Sequence, residues 1–370
     1  MTTHTRIARM LIAALALAAM SAPALAQFGT LPRSITETPS VSASQRAEIE
    51  SFVSGRLEDA TENDGLEAAE ARRDLATPLL TPGVSVAFRR AYDNALTPVF
   101  GGLDARADAG SAIAALRLAG ELGTPDAVAR IRSALSHDDL GIRVFAAGRA
   151  GRVFRVTTRS GAALEPAELD ALIDELGAGA ADDAHPEFRG ACMRALGAGA
   201  MLPASAFGVQ RGASIERMST AGSTMVGSLG GSIEPDPLVR AIVQAAGDGT
   251  SSLSAVGVRT APEAVRAAAA LGADMIALGL SGVVNETIGS PGERGLVVTV
   301  VRSGESLLYF ALREHAQNTG ANPGSVEQTD LAAMLEAGED RDFRNAAALL
   351  LGPGSPIVTE MDFKDDRFVN

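Results

Sequence analysis

Few side chains in this 370-residue chain can do acid–base, nucleophilic or metal chemistry, and their spacing disposes of most of them. There are four histidines and one cysteine. Asp182, Asp183, His185 and Glu187 bring metal-capable side chains together, and His137-Asp138-Asp139 repeats that composition on a smaller scale. Both runs stand just before an apolar helical stretch. There a short polar side chain caps the helix, and negative charge is favoured by about 0.3–1 kcal/mol. Capping explains both runs, so no metal is assigned. His315 falls in a charged helix end, Arg313-Glu314-His315. Lys364 is the only lysine, which excludes a P-loop and a Ser-x-x-Lys nucleophile. No serine has glycine both two before and two after it. No His-Glu-x-x-His and no alternating-aspartate calcium loop occurs. Gly197-Ala198-Gly199 follows a helical stretch and reads as its stop, not as a dinucleotide fingerprint. No catalytic residue, cofactor or metal follows from the sequence.

Two recurring charge features remain. Glu165, Glu168, Asp170, Asp174, Glu175, Asp182, Asp183 and Glu187 occur with no Lys or Arg between them. A solvated helix face is the default for such a run. If the chain has a charged partner-binding surface, it is expected here. Arg143, Arg189 and Arg344 recur at matching places. They read either as a ladder of cations facing a ligand or, preferably, as structural groups pairing with turn carboxylates such as Asp138 or Asp183.

The elements that position these residues are helical. Thr124-Pro125 opens a helix A with Val128, Ile131 and Leu135 on one face. Asp139 caps a helix B that carries Ile142, Ala146 and Ala150 and is expected to stop at Gly151. So short a pair cannot bury its apolar face alone and needs another stacked on it. The register repeats. Glu165 to Gly177 is a further helix A, with Leu169, Leu172 and Leu176, and His185 to Gly197 is its helix B. Gly151, Gly197 and Gly352 each lie eight residues after Arg143, Arg189 and Arg344. Asp139, His185 and Asp340 occupy one cap position, and Ala146, Cys192 and Ala347 one small buried slot. Cys192 is thus a core side chain and not a reactive thiol. Weaker copies lie at Phe88-Arg89, at Asp236 to Arg240, and at Pro262 to Gly272. Arg143 and Arg189 are 46 residues apart, within the roughly 40–47 of HEAT and armadillo units.

The segment ELGTPDAVARIRSALSHDDLGIRVFAAGRAG resembles HEAT repeats, particularly the short HEAT-like type of phycobilisome lyases. The close match covers about residues 110–200, with an echo at 327–353. The resemblance implies an all-α fold, an α-solenoid or α-α superhelix of HEAT-like helical pairs, and a habit of binding other proteins. It carries no catalytic residue over, and lyase activity does not follow from it.

The remaining organisation reads as follows. Residues 1–26 have a basic start, a short apolar run and Ala24-Leu25-Ala26 before Gln27, the pattern of a cleavable secretory signal peptide. The mature chain is expected to be periplasmic or secreted, with no later segment apolar enough to span a membrane. Losing Arg6 and Arg9 takes the net charge from -13 to -15. Such acidity argues against nucleic acid as a partner and favours a protein or peptide partner, basic if anything. One cysteine leaves no internal disulfide, so burial of small aliphatic side chains must hold the fold. Residues 27–42 form a flexible lead-in, and 43–201 HEAT-like repeats. Within them, helices are expected at about 43–62, with Ser44 as cap, at Leu66 to Leu80 and at about 85–97. Residues 202–234 read as a Gly/Ser-rich insertion, and 235–353 as further degenerate repeats. Gly247 to Ser254 is expected as a loop, and Leu296 to Val301 as a buried helix in preference to a strand. An acidic tail, 354–370, follows. The function expected is an exported protein-interaction scaffold. The alternatives are an enzyme or small-molecule binder using 202–234 as lid or pocket wall, and a self-associating envelope component.

Overall fold

The computed structural model describes residues 30–62, 65–229, 237–255, 258–365 and 367–368. The expected signal peptide, and part of the lead-in, lie outside them. All regular structure among the described residues is helical.

The N-terminal helices are α1 (Arg33–Thr36), α2 (Ala43–Ser54), α3 (Leu57–Thr61), α4 (Leu66–Leu80), α5 (Val86–Ala105) and α6 (Ala109–Leu122). The stretch expected as one helix at about 43–62 is two, α2 and α3, parted at Gly55-Arg56, and two boundaries also differ from expectation. Ser42, not Ser44, caps α2, in a capping box with Gln45, and α5 runs on past Pro98 to Ala105. Next come α7 (Pro125–Leu135), α8 (Leu140–Ser160), α9 (Pro166–Asp182), α10 (Pro186–Gly199) and α11 (Ala204–Ser228). They are followed by α12 (Pro237–Leu253), α13 (Pro262–Val284), α14 (Pro291–Thr319), α15 (Leu331–Ala337), α16 (Asp340–Leu351) and α17 (Pro356–Glu360).

Contacts arrange these helices in two rows. α6, α8, α10, α12 and α14 each touch the next in that order, and α7, α9, α11 and α13 do the same. Sequential pairs α7/α8, α9/α10, α11/α12 and α13/α14 join the rows. The last pair exchanges places: α15 lies on α14 and α16 on α13.

Four expectations are corrected. Residues 202–234 are no insertion: through Ser228 they form α11, a full member of its row, with 230–234 outside the described residues. Its glycines and serines are packing residues. Ser214 and Ser219 are buried, and a Cβ on Gly222 would meet the Leu271 side chain at 3.0 Å. Gly247 to Ser254 is likewise helical to Leu253. α8 passes Gly151 without stopping, because no cap forms there and Val153, Phe154 and Val156 continue the buried stripe. The copy at Pro262 belongs to the helix A row, not to helix B. Leu296 to Val301 is helical, as expected, within α14.

By length and apolar composition, α13 and α14 could each cross a membrane, against the expectation that no later segment is apolar enough to do so. Burial accounts for that composition: 61% and 50% of their most apolar windows are buried inside the protein. The two helices meet backbone to backbone. A Cβ on Gly272 would lie 2.8 Å from the Gly304 carbonyl oxygen, and one on Gly304 would lie 2.7 Å from that of Gly272.

Buried charges secure the helix ends. Arg89, 1% exposed, donates to the carbonyls of Leu122 (2.9 Å), Ser160 and Gly161, at the C-termini of α6 and α8. Arg211 does the same for Ala200 and Ser252, after α10 and within α12. A guanidinium suits this role because its fixed fork reaches several acceptors at once, and helix C-termini have unpaired carbonyls to offer. Glu305 serves the opposite end, accepting from the Leu331 and Ala332 amides at 2.6 and 2.9 Å where α15 begins.

Candidate functional site

The repeat register places Cys192, Ala146 and Ala347 at full burial. Burial pushes the Cys192 thiol up to about 12, so it stays protonated at neutral pH. Asp139 caps α8 through the Ile142 amide at 3.1 Å. His185 holds the N-cap position of α10 without a side-chain cap bond, and its own amide donates to Asp183 at 2.8 Å. Asp340 departs from the cap expectation: it lies inside α16 and pairs with Arg294 at 2.7 Å. The recurring arginines also diverge. Arg143 bridges to Asp183 and lies 4.9 Å over the Phe188 ring, the expected turn-carboxylate pairing. Arg189 donates to the Ala180 carbonyl at 2.9 Å, while Arg344 is exposed.

The eight carboxylates do not converge. Asp170 accepts from Gln210 at 3.0 Å, Asp174 pairs with Arg217 at 2.9 Å and Glu175 with Arg132 at 2.5 Å. These three link α9 to its row neighbours α11 and α7. Glu168 accepts the Glu165 amide at 2.8 Å in the first turn of α9, and Asp183 is taken by Arg143. Asp182 and Glu187 are exposed on either side of the α9–α10 turn. Half of the acidic run, Asp170, Asp174, Glu175 and Asp183, therefore serves helix-to-helix attachment. Among the described residues no three His, Cys, Asp or Glu side chains converge as a metal site would need.

A larger site lies elsewhere. A groove of about 920 Å³ runs between α11 and α13 and is flanked by the C-terminal tail. α11 contributes Glu216, Thr220, Ser223 and Thr224 at helical spacing. α13 contributes Glu263, Arg266 and Asp274, and the tail contributes Phe363 and Arg367. Burial raises the Asp274 carboxyl above its ordinary range, and Arg367, 3.3 Å away, opposes the shift. Arg266 donates to the Asp362 carbonyl and lies 5.3 Å over Phe363. Phe368, 4% exposed, fixes the tail with its ring 5.4 Å from that of Phe363. The lining contains no histidine or cysteine. It offers carboxylates, hydroxyls and guanidinium groups, which hold a polar ligand by hydrogen bonds.

Comparison with known proteins does not name a family. No family model and no curated protein matches the chain. One solved structure, an engineered protein, aligns over 89% of this chain and 92% of its own, at 16% identity and a TM-score of 0.33. At that score the likeness carries no argument about fold or function, and the HEAT-like resemblance rests on sequence pattern alone.

Reading 202–234 as a Gly/Ser-rich insertion hides this groove, since one of its walls is a helix formed by that stretch. Two signals were present. Glu216, Thr220, Ser223 and Gly227 share one helical face, and Asp274 interrupts the apolar run that follows Arg266 in α13.

Proposed function

We propose that the chain is an α-solenoid of HEAT-like helical pairs, exported by its N-terminal signal peptide, that works as a protein-interaction scaffold. The observation that carries this reading is the two-row arrangement. Helices that touch only their neighbours form an extended surface in place of one closed pocket. The even-numbered row is the helix B row. Shallow grooves of about 460 and 510 Å³ lie between α10 and α12 and between α12 and α14. Such repeating grooves suit an extended segment of a partner.

The test is photo-crosslinking in the native envelope from Val144, Arg194 and Gln244 on the even row, against Glu67 and Asp174 as exposed controls. One discrete partner captured from the even row alone supports the scaffold. Equal capture from the controls, or none above background, refutes it.

One observation favours a second reading. The groove between α11 and α13 uses the 202–234 stretch as a wall, though not as a lid, and its size suits a polar small molecule. A ligand-induced rise in melting temperature that Thr220→Phe abolishes would support it. A rise that T220F leaves unchanged would eliminate it.

A further inference from the structure

The even row carries a concentration of positive charge that the acidic composition conceals. Four arginines, Arg149, Arg152, Arg155 and Arg159, stand on α8 at intervals of three and four, along one helical face. Arg117 joins them from α6. These groups act on one another: Arg149 feels Arg117, Arg152 and Arg155, and Arg155 feels Arg152 and Arg159. Burial, more than this repulsion, lowers both Arg149 and Arg155 from the usual guanidinium range, while Glu121 opposes the shift. Glu121 is already taken by Arg152, whose Nε reaches it at 2.7 Å and Nη2 at 2.5 Å.

Among the described residues Arg117, Arg149, Arg155 and Arg159 make no ion pair. Arg149 is held in place even so. It lies across Gly120, where a Cβ would come within 2.9 Å of its Cδ, and 4.9 Å over the Phe145 ring. Its buried Nε has no hydrogen-bond partner. Arg89 and Arg143 also have a buried Nε without a partner, but their terminal nitrogens are taken by the Leu122 carbonyl and the Asp183 carboxylate. Positioned, partly desolvated and unpaired guanidinium groups are an anion site, since each presents a donor fork matched to a carboxylate.

The charge continues along the row. Gly151 of α8 abuts Ala195 of α10, next to Arg194, and Arg194 and Arg240 line the following groove with Glu187 as its one carboxylate. Glu121, gripped by Arg152, shows that this surface accepts a carboxylate.

We infer that the even row binds an acidic peptide segment, whose carboxylates take the guanidinium groups of Arg149, Arg155 and Arg159. The inference rests on the scaffold reading and names the chemistry of its partner, acidic where net charge alone suggested basic. The arginines of α8 span about 15 Å at about 1.5 Å per residue, a length that four or five extended residues cover.

The probe is fluorescein-labelled decaglutamate, titrated with the full chain and read by anisotropy. Decalysine, heparin and phosphatidylglycerol vesicles serve as competitors. Saturable decaglutamate binding is expected, and the double variant R155Q/R159Q, altered at exposed positions, should weaken it about tenfold. R217Q/R302Q removes the same charge at exposed pairs elsewhere and should change it less than about twofold. No saturable binding, or equal loss in both double variants, overturns the inference. So does heparin or the vesicles competing about tenfold better than unlabelled decaglutamate, which would assign sulfate or phosphate chemistry instead. A partner crosslinked along the even row and undiminished by R155Q/R159Q would overturn the acidic-segment assignment while leaving the scaffold in place. Decaglutamate binding without any captured partner would keep the anion site and remove the scaffold.

Discussion

The contact between α13 and α14 offers a demanding test of the fold. Gly272→Ala adds one methyl group in a helix interior. On propensity alone that change stabilises by about 0.5–1 kcal/mol. Here the new Cβ would stand 2.8 Å from the Gly304 carbonyl oxygen, 2.9 Å from the Leu308 nitrogen and 3.0 Å from the Leu308 Cβ. Two of these neighbours are backbone, so neither can rotate away, and the helices must separate. Overpacking of this kind costs about 1–3 kcal/mol. Set against the propensity gain, the net loss is up to about 2.5 kcal/mol, or up to roughly 5 °C in melting temperature for a chain of this size. Gly304→Ala, 2.7 Å from the Gly272 carbonyl oxygen and 2.8 Å from the Met275 Cβ, should behave alike. G272A/G304A should cost less than the two singles combined, because one separation of the helices relieves both contacts. Gly148→Ala on α8, with nothing within 4 Å of the added Cβ, supplies the control and should stabilise. Scanning calorimetry of the four variants beside wild type decides the matter. A G272A protein as stable as G148A would refute the close approach.

Further outcomes follow from buried groups. Arg89→Met strands the carbonyls of Leu122, Ser160 and Gly161 and should cost about 3–5 kcal/mol in urea unfolding; a loss under about 1 kcal/mol would contradict its role. Cys192, held up to about 12 and fully buried, should resist an aromatic disulfide reagent at pH 8 and react once denatured; native labelling at the rate of a free thiol would remove it from the core. Asp248 is raised by burial alone. Its folded value exceeds its unfolded one, so ionisation opposes folding once the pH climbs past the ordinary carboxylate range. Asp248→Asn should therefore raise the melting temperature at pH 7, with the gain vanishing as the pH falls below about 4; a gain that persists at pH 3 would point to another cause. Asp108 has the opposite sign, lowered to about 2 by the Ser111 amide it accepts. Its contribution is present above the ordinary carboxylate range and lost as the pH falls toward 2. D108A should destabilise at pH 7 and match wild type near pH 2, and a pH-independent deficit would refute the capping account.

Local signals made part of the structure readable. Thr124-Pro125, Asp139 and the apolar stripes of α7 and α8 act within a few residues of one another, so spacing alone locates them. Arg143 with Asp183, 40 residues apart, was legible for another reason: the repeat register sets turn carboxylates near helix B arginines. The stretch 202–229 was not legible. Its glycine and serine content imitates a loop, while tight contact between α11 and α13 selects those small residues for helix-to-helix packing. Gly151 misled in the same way: it admits Ala195 of α10 at close range instead of ending α8. The exchange of places by α15 and α16 depends on how the final pair meets its neighbours, which no local pattern encodes. The arginine face of α8 was present in the sequence but hidden in a net charge of -13.

Arg89 and Arg211 have a further effect on how the array comes apart. Stacked helical pairs with only nearest-neighbour contacts can open from an end, one unit after another. Arg89 projects from α5 into the ends of both α6 and α8, and Arg211 from α11 toward those of α10 and α12. Losing any one of these helices would leave a buried cation facing vacated carbonyl positions. Fraying must then proceed in blocks of several helices, and hydrogen exchange should show two protected groups, one about Arg89 and one about Arg211, in place of a smooth gradient from each end.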